Sequence, residues 1–71
     1  MAETLAVCAP LLNDSEAIVR KAVGWALREA SDHDAEAVYQ FLVAHHGAIA
    51  RGVMTEGSKK LADEQRAMLL R

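Results

Sequence analysis

The chain has 71 residues, of which 52% are hydrophobic and 25% are charged, and its formal net charge is −2 at pH 7. A chain of this length forms one small domain with a modest core. The acidic balance excludes strong autonomous binding to nucleic acid, which needs a clustered excess of Lys and Arg. The single cysteine excludes an internal disulfide.

Residues that bind metals or enter membranes are sparse. Cys8 has no CxxC motif and no Cys or His partner at metal spacing, and the adjacent His45 and His46 diverge by about 100° on a helix, so we expect no metal and no cofactor. No basic N-terminal region precedes a long apolar run, and no stretch approaches the length of a transmembrane helix. We therefore expect no membrane partner and a cytoplasmic location.

The first half of the chain predicts two helices. The first runs over residues 3–9 and ends at Pro10, which lacks an amide donor and introduces a kink or break. Residues 13–15 are Asn, Asp and Ser, three capping side chains that precede a periodic apolar run. A second helix should therefore begin at residue 15 or 16 and continue to Ala30.

A third helix follows a short polar connection. Residues 31–34 form this connection, Asp34 should cap a helix over residues 35–46, and Gly47 should close it. The apolar stripe of this helix, at i, i+3, i+4 and i+7, consists of Val38, Phe41, Leu42 and His45. We expect this stripe to pack against the second helix, while Glu36 and Gln40 point away.

The last third of the chain has weaker helix signals. Residues 48–54 predict a short turn, Thr55 is a candidate cap for a helix over residues 56–61, and Asp63 is a candidate cap for a last piece up to Arg71. Successive antiparallel helices with brief polar turns are typical of HEAT-like repeats. The predicted fold class is all-α, with antiparallel helical hairpins in a HEAT-like or ARM-type α-solenoid fragment.

The second predicted helix carries the candidate binding surface. Its apolar face, placed at about 100° per residue, contains Val19, Val23, Ala26 and Ala30, flanked by Ala22 and Leu27. Trp25 lies outside the centre of this face, beside Lys21 one turn before it and Arg28 three residues after it.

Such an aromatic plane between two cations has two interpretations. It suits DNA, because the cations hold phosphates while the ring packs on sugar or base and attracts a cationic alkylated base. Trp25, Lys21 and Arg28 are therefore the candidate DNA-binding residues. In the alternative, Trp25 lies at the rim of the core, the methylene groups of Lys21 and Arg28 pack on its indole, and their charged ends lie in water.

The residues of this helix also carry a family resemblance. Residues 19–29, with the sequence VRKAVGWALRE, together with Asp34 to Val38 and Phe41-Leu42, resemble the AlkD-like family of DNA alkylation repair glycosylases. The likeness runs from about Leu11 to Leu61. It implies that residues 1–71 are a single small helical domain similar to the C-terminal HEAT-like repeats of that family.

The resemblance implies a function in DNA repair. The family is a curved stack of HEAT-like repeats whose concave face holds duplex DNA, and it excises alkylated purines by hydrolysis of the N-glycosidic bond. Trp25 matches an aromatic residue that packs against the deoxyribose and backbone of the damaged nucleotide. The catalytic aspartate belongs to earlier repeats and has no counterpart here, and Asp32 and Asp34 are not expected to replace it. The chain alone is therefore expected to be inactive.

Two points limit the transfer of family properties. Thr55 and Gly57 stand where the family has arginine and alanine, which removes a charge and weakens a helix by about 1 kcal/mol. The alternative function is a non-catalytic HEAT-like interaction module or a homodimer, in which the open face left by missing N-terminal repeats is buried against a partner. Self-association would use leucine and methionine side chains near the two ends, namely Leu5, Leu11, Leu12, Met68, Leu69 and Leu70.

Overall fold

A computed structural model describes residues 2–71. The helices are α1 (Ala2–Cys8), α2 (Ala17–Ala44), α3 (Arg51–Gly57) and α4 (Asp63–Leu69), with 3-10 turns at Ala9–Leu11 and His46–Ala48. No strand occurs over this range, which confirms the predicted all-α class. Within the same residues no helix is both long enough and apolar enough to cross a bilayer. The HEAT-like stacking stays a prediction.

The N-terminal elements begin and end close to the predicted positions. Helix α1 ends at Cys8, and Pro10 lies in the 3-10 turn that follows, which agrees with a break at the proline. Before α2, the carboxylate of Asp14 accepts a hydrogen bond from the backbone N–H of Glu16 at 2.9 Å. Helix α2 then begins at Ala17, one or two residues later than predicted.

Helix α2 consists of two segments that meet at Asp34. The backbone of Asp34 is non-helical, with φ −157° and ψ 85°, and its Oδ1 accepts a hydrogen bond from the N–H of Ala37 at 3.0 Å. The predicted cap at Asp34 is confirmed, whereas the predicted connection over residues 31–34 is wrong, because residues 31–33 continue the helix. Ser31 can be buried there because its hydroxyl donates to the carbonyl of Leu27 at 3.1 Å.

Three predictions for the C-terminal half are wrong. Gly47 does not close the predicted helix over residues 35–46, because the second segment of α2 ends at Ala44 and Gly47 lies in a 3-10 turn without a positive φ. Thr55 does not cap a helix, because it lies inside α3 and its hydroxyl donates to the carbonyl of Arg51 at 2.9 Å. Asp63 is the first residue of α4 and makes no capping hydrogen bond.

The core lies mainly between α2 and the shorter helices. Its buried apolar residues are Cys8, Leu12, Val23, Leu27, Ala30, Val38, Leu42, Val53, Met54, Leu61 and Leu69. Two leucines that the sequence suggested for self-association, Leu12 and Leu69, are therefore buried, and Leu5, Leu11 and Leu70 pack partly against this core. Met68 is 50% exposed. The exposed leucine set predicted at the two ends is thus wrong for most of its members.

Helix α3 packs mainly against α2. Gly57, at the end of α3, is buried, and a β carbon at this position would lie 3.1 Å from the β carbon of Leu27. The glycine that weakens the helix by propensity therefore permits the close approach of the two helices. This approach fixes α3 beside the exposed side of α2, where Trp25 lies.

Candidate nucleic-acid interface

Trp25 projects from α2 into solvent. Its side of the helix differs from the core side, where Val23 and Leu27 are buried, and the residue is 56% exposed. This position agrees with the helical placement predicted from the sequence. The exposed indole lines two neighbouring concavities, one on the α3 side of α2 and one on the α1 side.

The concavity between α2 and α3 is an open groove of about 530 Å³, which we call the Trp25 groove. Its walls are formed by Arg20, Lys21 and Trp25 from α2 and by Gly52, Val53 and Glu56 from α3. Lys21 and Trp25 therefore share one surface, as the sequence predicted. The groove offers aromatic, aliphatic and cationic groups to the same ligand.

The two cations of the Trp25 groove lack carboxylate partners in the described part of the chain. Lys21 is exposed and makes no ion pair there. Arg20 is partly buried, and its Nη1 donates to the backbone carbonyl of Asp14 at 2.6 Å. Glu16 and Arg20, one helical turn apart, form no ion pair with each other among the described residues. Both positive charges therefore stay available to an anion.

Arg28 is engaged elsewhere. Its Nη1 lies 3.0 Å from Oε2 of Glu56, its Nε lies 3.8 Å from Glu29, and its side chain is 31% exposed. It does not line the Trp25 groove. The structure therefore brings Lys21 and Trp25 together in the groove, whereas the third predicted DNA-binding residue, Arg28, is paired with the Glu56 carboxylate.

Glu56 is the one acid of the groove wall. Nζ of Lys59 lies 3.0 Å from its Oε1, whereas Arg28 binds its Oε2. The hydrogen bond from Lys59, followed by the positive charges of Lys59 and Arg28, holds the pKa of Glu56 below its ordinary value. Glu56 is thus ionised near neutral pH, and its charge is offset by two cations.

The concavity on the other side of Trp25 has a different character. It measures about 460 Å³ and is lined by Thr4, Trp25, Ala26, Glu29, Ala30 and His33. Lys60 bridges Glu29 at 3.3 Å and Asp32 at 2.7 Å, and the hydrogen bond with Asp32 raises the pKa of Lys60. Each concavity is lined by one carboxylate, but Arg20 and Lys21 line the Trp25 groove whereas no Lys or Arg lines this one. A phosphate is therefore more favourable in the Trp25 groove.

The aspartates considered as catalytic substitutes have other roles. Asp34 caps the second segment of α2, and Asp32 binds Lys60; neither lines the Trp25 groove. Burial raises the pKa of the Cys8 thiol, which disfavours its reactive thiolate. Over residues 2–71 no group of three or more His, Cys, Asp or Glu side chains is arranged to hold a metal ion.

Two charged residues of the groove, Arg20 and Glu56, were not predicted from the sequence. Arg20 is not among the candidate DNA-binding residues of the sequence analysis, although its position directly before Lys21 places two adjacent cations near the start of α2. Glu56 gave no signal, because its partner Arg28 is 28 residues away in the chain. Only the crossing of α2 and α3 brings these two side chains together.

Fold and groove define an all-α protein with an aromatic and basic surface. The sequence model of the family described as DNA alkylation repair enzyme matches residues 1–61. The chain therefore belongs to that family, which confirms the resemblance and supports a DNA repair-related function. No curated protein and no solved structure matches the chain.

Proposed function

We propose that this chain is the C-terminal, DNA-facing part of an alkylpurine DNA glycosylase-like repair protein. The single observation that carries the proposal is the exposed indole of Trp25 in a groove that it shares with Lys21. Membership in a DNA alkylation repair family supports DNA as the class of ligand, and we propose duplex DNA with alkylated purines. The groove offers a surface of suitable chemistry.

The groove residues support contact with a nucleotide for separate reasons. The flat apolar face of Trp25 can pack on deoxyribose, and a positively charged alkylated base gains a cation–π attraction to the indole. The ammonium group of Lys21 can neutralise a backbone phosphate. Because the chain is acidic overall, its affinity for DNA depends on this local arrangement rather than on net charge.

Hydrolysis of the glycosidic bond needs a carboxylate fixed in the cleft, to position water or to stabilise the developing oxocarbenium charge. Glu56 lines the groove, but it is bound by Arg28 and Lys59. Asp32 and Asp34 lie outside the groove. We therefore assign hydrolysis to a carboxylate from other repeats, and to this chain the holding of DNA.

Trp25 provides the probe for the first test, because it is the single tryptophan of the chain. Its fluorescence should change when a duplex with an abasic-site analogue is added, and the apparent affinity should fall as salt is raised. Trp25→Ala should lower the affinity measured with a labelled duplex and leave the helical circular dichroism unchanged. The matched control is Ile18→Ala, which removes a 77% exposed side chain from the same helix.

Two results would count against DNA contact by this surface. One is the absence of any fluorescence response at low salt. The other is a parallel loss of affinity and helicity in Trp25→Ala, which would indicate that the indole stabilises the fold instead.

A different face supports the alternative of a self-associating interaction module. Val7 and Ile18 are 66% and 77% exposed, and both line an apolar concavity between α1 and α2. Burial of this concavity against a second copy would hide both side chains from water. In that case Ile18→Asp should convert a dimer to a monomer in sedimentation velocity, while a wild-type chain that is monomeric at high concentration would reject this alternative.

A further inference from the structure

Arg20 is the cation of the Trp25 groove with the more defined position. Its Nη1 donates to the carbonyl of Asp14 at 2.6 Å, and the side chain of Asp14 is itself fixed by the N–H of Glu16 at 2.9 Å. A carbonyl is a neutral acceptor, so the guanidinium keeps its full charge and its other N–H donors. The loop before α2 therefore positions a charged fork whose remaining donors suit a phosphate.

Arg28 differs from Arg20 in the charge of its partner. Its guanidinium binds the Glu56 carboxylate at 3.0 Å, and Glu56 is the acid on the wall of the Trp25 groove. A phosphate bound directly by Arg28 would lie beside the Glu56 carboxylate, which would repel it. With the pair in place, Arg28 offsets a negative charge that would repel a phosphate.

From these contacts we infer that Arg20 joins Lys21 in binding a DNA backbone phosphate in the Trp25 groove, and that Arg28 is a positioning residue that acts through Glu56. The inference rests on the proposed function and specifies which cations touch the nucleic acid. It replaces the sequence-based pairing of Lys21 with Arg28 by a pairing of two adjacent residues at the start of α2.

The number of phosphate contacts can be measured from the salt dependence of duplex binding. A lost contact lowers the slope of log K against log salt by about 0.9. In fluorescence anisotropy with a labelled duplex, Arg20→Gln should show this decrease and an affinity lower by about tenfold at low salt. The matched control is Arg51→Gln, since Arg51 is exposed, makes no ion pair among the described residues and lies outside the groove. An equal slope in both variants would overturn the role of Arg20.

The indirect role of Arg28 is tested by restoring the charge balance. Arg28→Gln should weaken binding, and Arg28→Gln with Glu56→Gln should return it to within about twofold of wild type, because a cation and an anion are removed together. Arg20→Gln with Glu56→Gln should keep the reduced salt slope. If Arg28→Gln is not helical by circular dichroism, Arg28→Lys replaces it and should bind as wild type. A double variant as weak as Arg28→Gln, or a weakly binding but folded Arg28→Lys, would show direct contact.

A measurement without DNA separates this inference from the proposed function. Iodide quenches Trp25 more strongly where the local potential is positive, whereas acrylamide is neutral. Arg20→Gln should lower the ratio of iodide to acrylamide quenching, and Arg51→Gln should not. An unchanged ratio in Arg20→Gln would reject the phosphate contact of Arg20, while the proposed function stands. If the wild-type chain bound no duplex, both the proposed function and the phosphate contact of Arg20 and Lys21 would be rejected.

Discussion

Gly24 of α2 lies so close to Glu56 of α3 that a β carbon added to Gly24 would be 3.0 Å from the β carbon of Glu56. The missing side chain of Gly24 therefore allows α3 to approach α2 at this point. The same approach brings the Glu56 carboxylate within 3.0 Å of Arg28 and places it on the wall of the Trp25 groove. Packing of the two helices and electrostatics of the candidate site thus depend on one crossing.

Gly24→Ala should destabilise the protein, although alanine has the higher helix propensity. The β carbon of Glu56 is attached to the α3 backbone and cannot rotate away, so α3 must shift. We expect a loss of about 1–3 kcal/mol in the free energy of unfolding, measured by urea denaturation. Gly52→Ala is the control, because nothing lies within 4 Å of a β carbon at that helical position. A more stable Gly24→Ala variant would contradict the close crossing.

Stability should fall at acidic pH through Glu56. Its pKa in the folded protein is below the ordinary value of 4.5, mainly through the hydrogen bond from Lys59. As pH falls, Glu56 therefore takes up its proton at a higher pH in the unfolded chain than in the folded protein. The contribution of ionised Glu56 to stability is complete above about pH 4.5 and is lost as pH falls through the folded pKa.

Thermal melts between pH 6 and pH 3, compared for wild type and Glu56→Gln, measure this contribution. The difference in midpoint between the two proteins should shrink as pH decreases. Glu64→Gln is the control, since Glu64 is an exposed acid outside the ion pairs of the described chain. A difference between wild type and Glu56→Gln that is constant over this range would show that the ion pairs of Glu56 do not stabilise the fold.

Local signals in the sequence predicted much of α2 correctly. The cap at Asp34 is read from a polar side chain at the start of a periodic run, and the exposure of Trp25 follows from its angle relative to Val23. Both features are decided by neighbours within one or two helical turns. Such features need no knowledge of which helices touch.

Two features could not be predicted from the sequence because they depend on contacts between distant segments: the packing role of Gly57 and the partner of Arg28. Gly57 indicated a weak helix, but its missing side chain accommodates Leu27, so packing outweighs propensity. Likewise, charge and helical spacing grouped Arg28 with Lys21, whereas Glu56, far away in the chain, engages the guanidinium. The identity of the groove cations therefore emerged only with the position of α3.

The capping bond at Asp34 can be tested by removal and replacement. Asp34→Ala leaves the N–H of Ala37 without its acceptor at 3.0 Å, and should cost about 1 kcal/mol. Asp34→Asn retains an acceptor oxygen and should remain close to wild type in thermal melts. If Asp34→Ala were as stable as wild type, the break in α2 would be held by tertiary packing alone.

A matched pair of valines in the second segment of α2 tests which face of that segment is the core. Val38 is fully buried and Val43 is 45% exposed, so the two positions differ in burial while the chemical change to alanine is the same. Val38→Ala should lower the free energy of unfolding by about 2 kcal/mol through lost burial and a residual cavity. Val43→Ala should change it by less than about 0.5 kcal/mol. Because a chain of this size has only a few kcal/mol of stability, Val38→Ala should also increase the rates of amide hydrogen exchange in α2 and α3. Equal effects of the two substitutions on the free energy of unfolding would contradict the placement of the core.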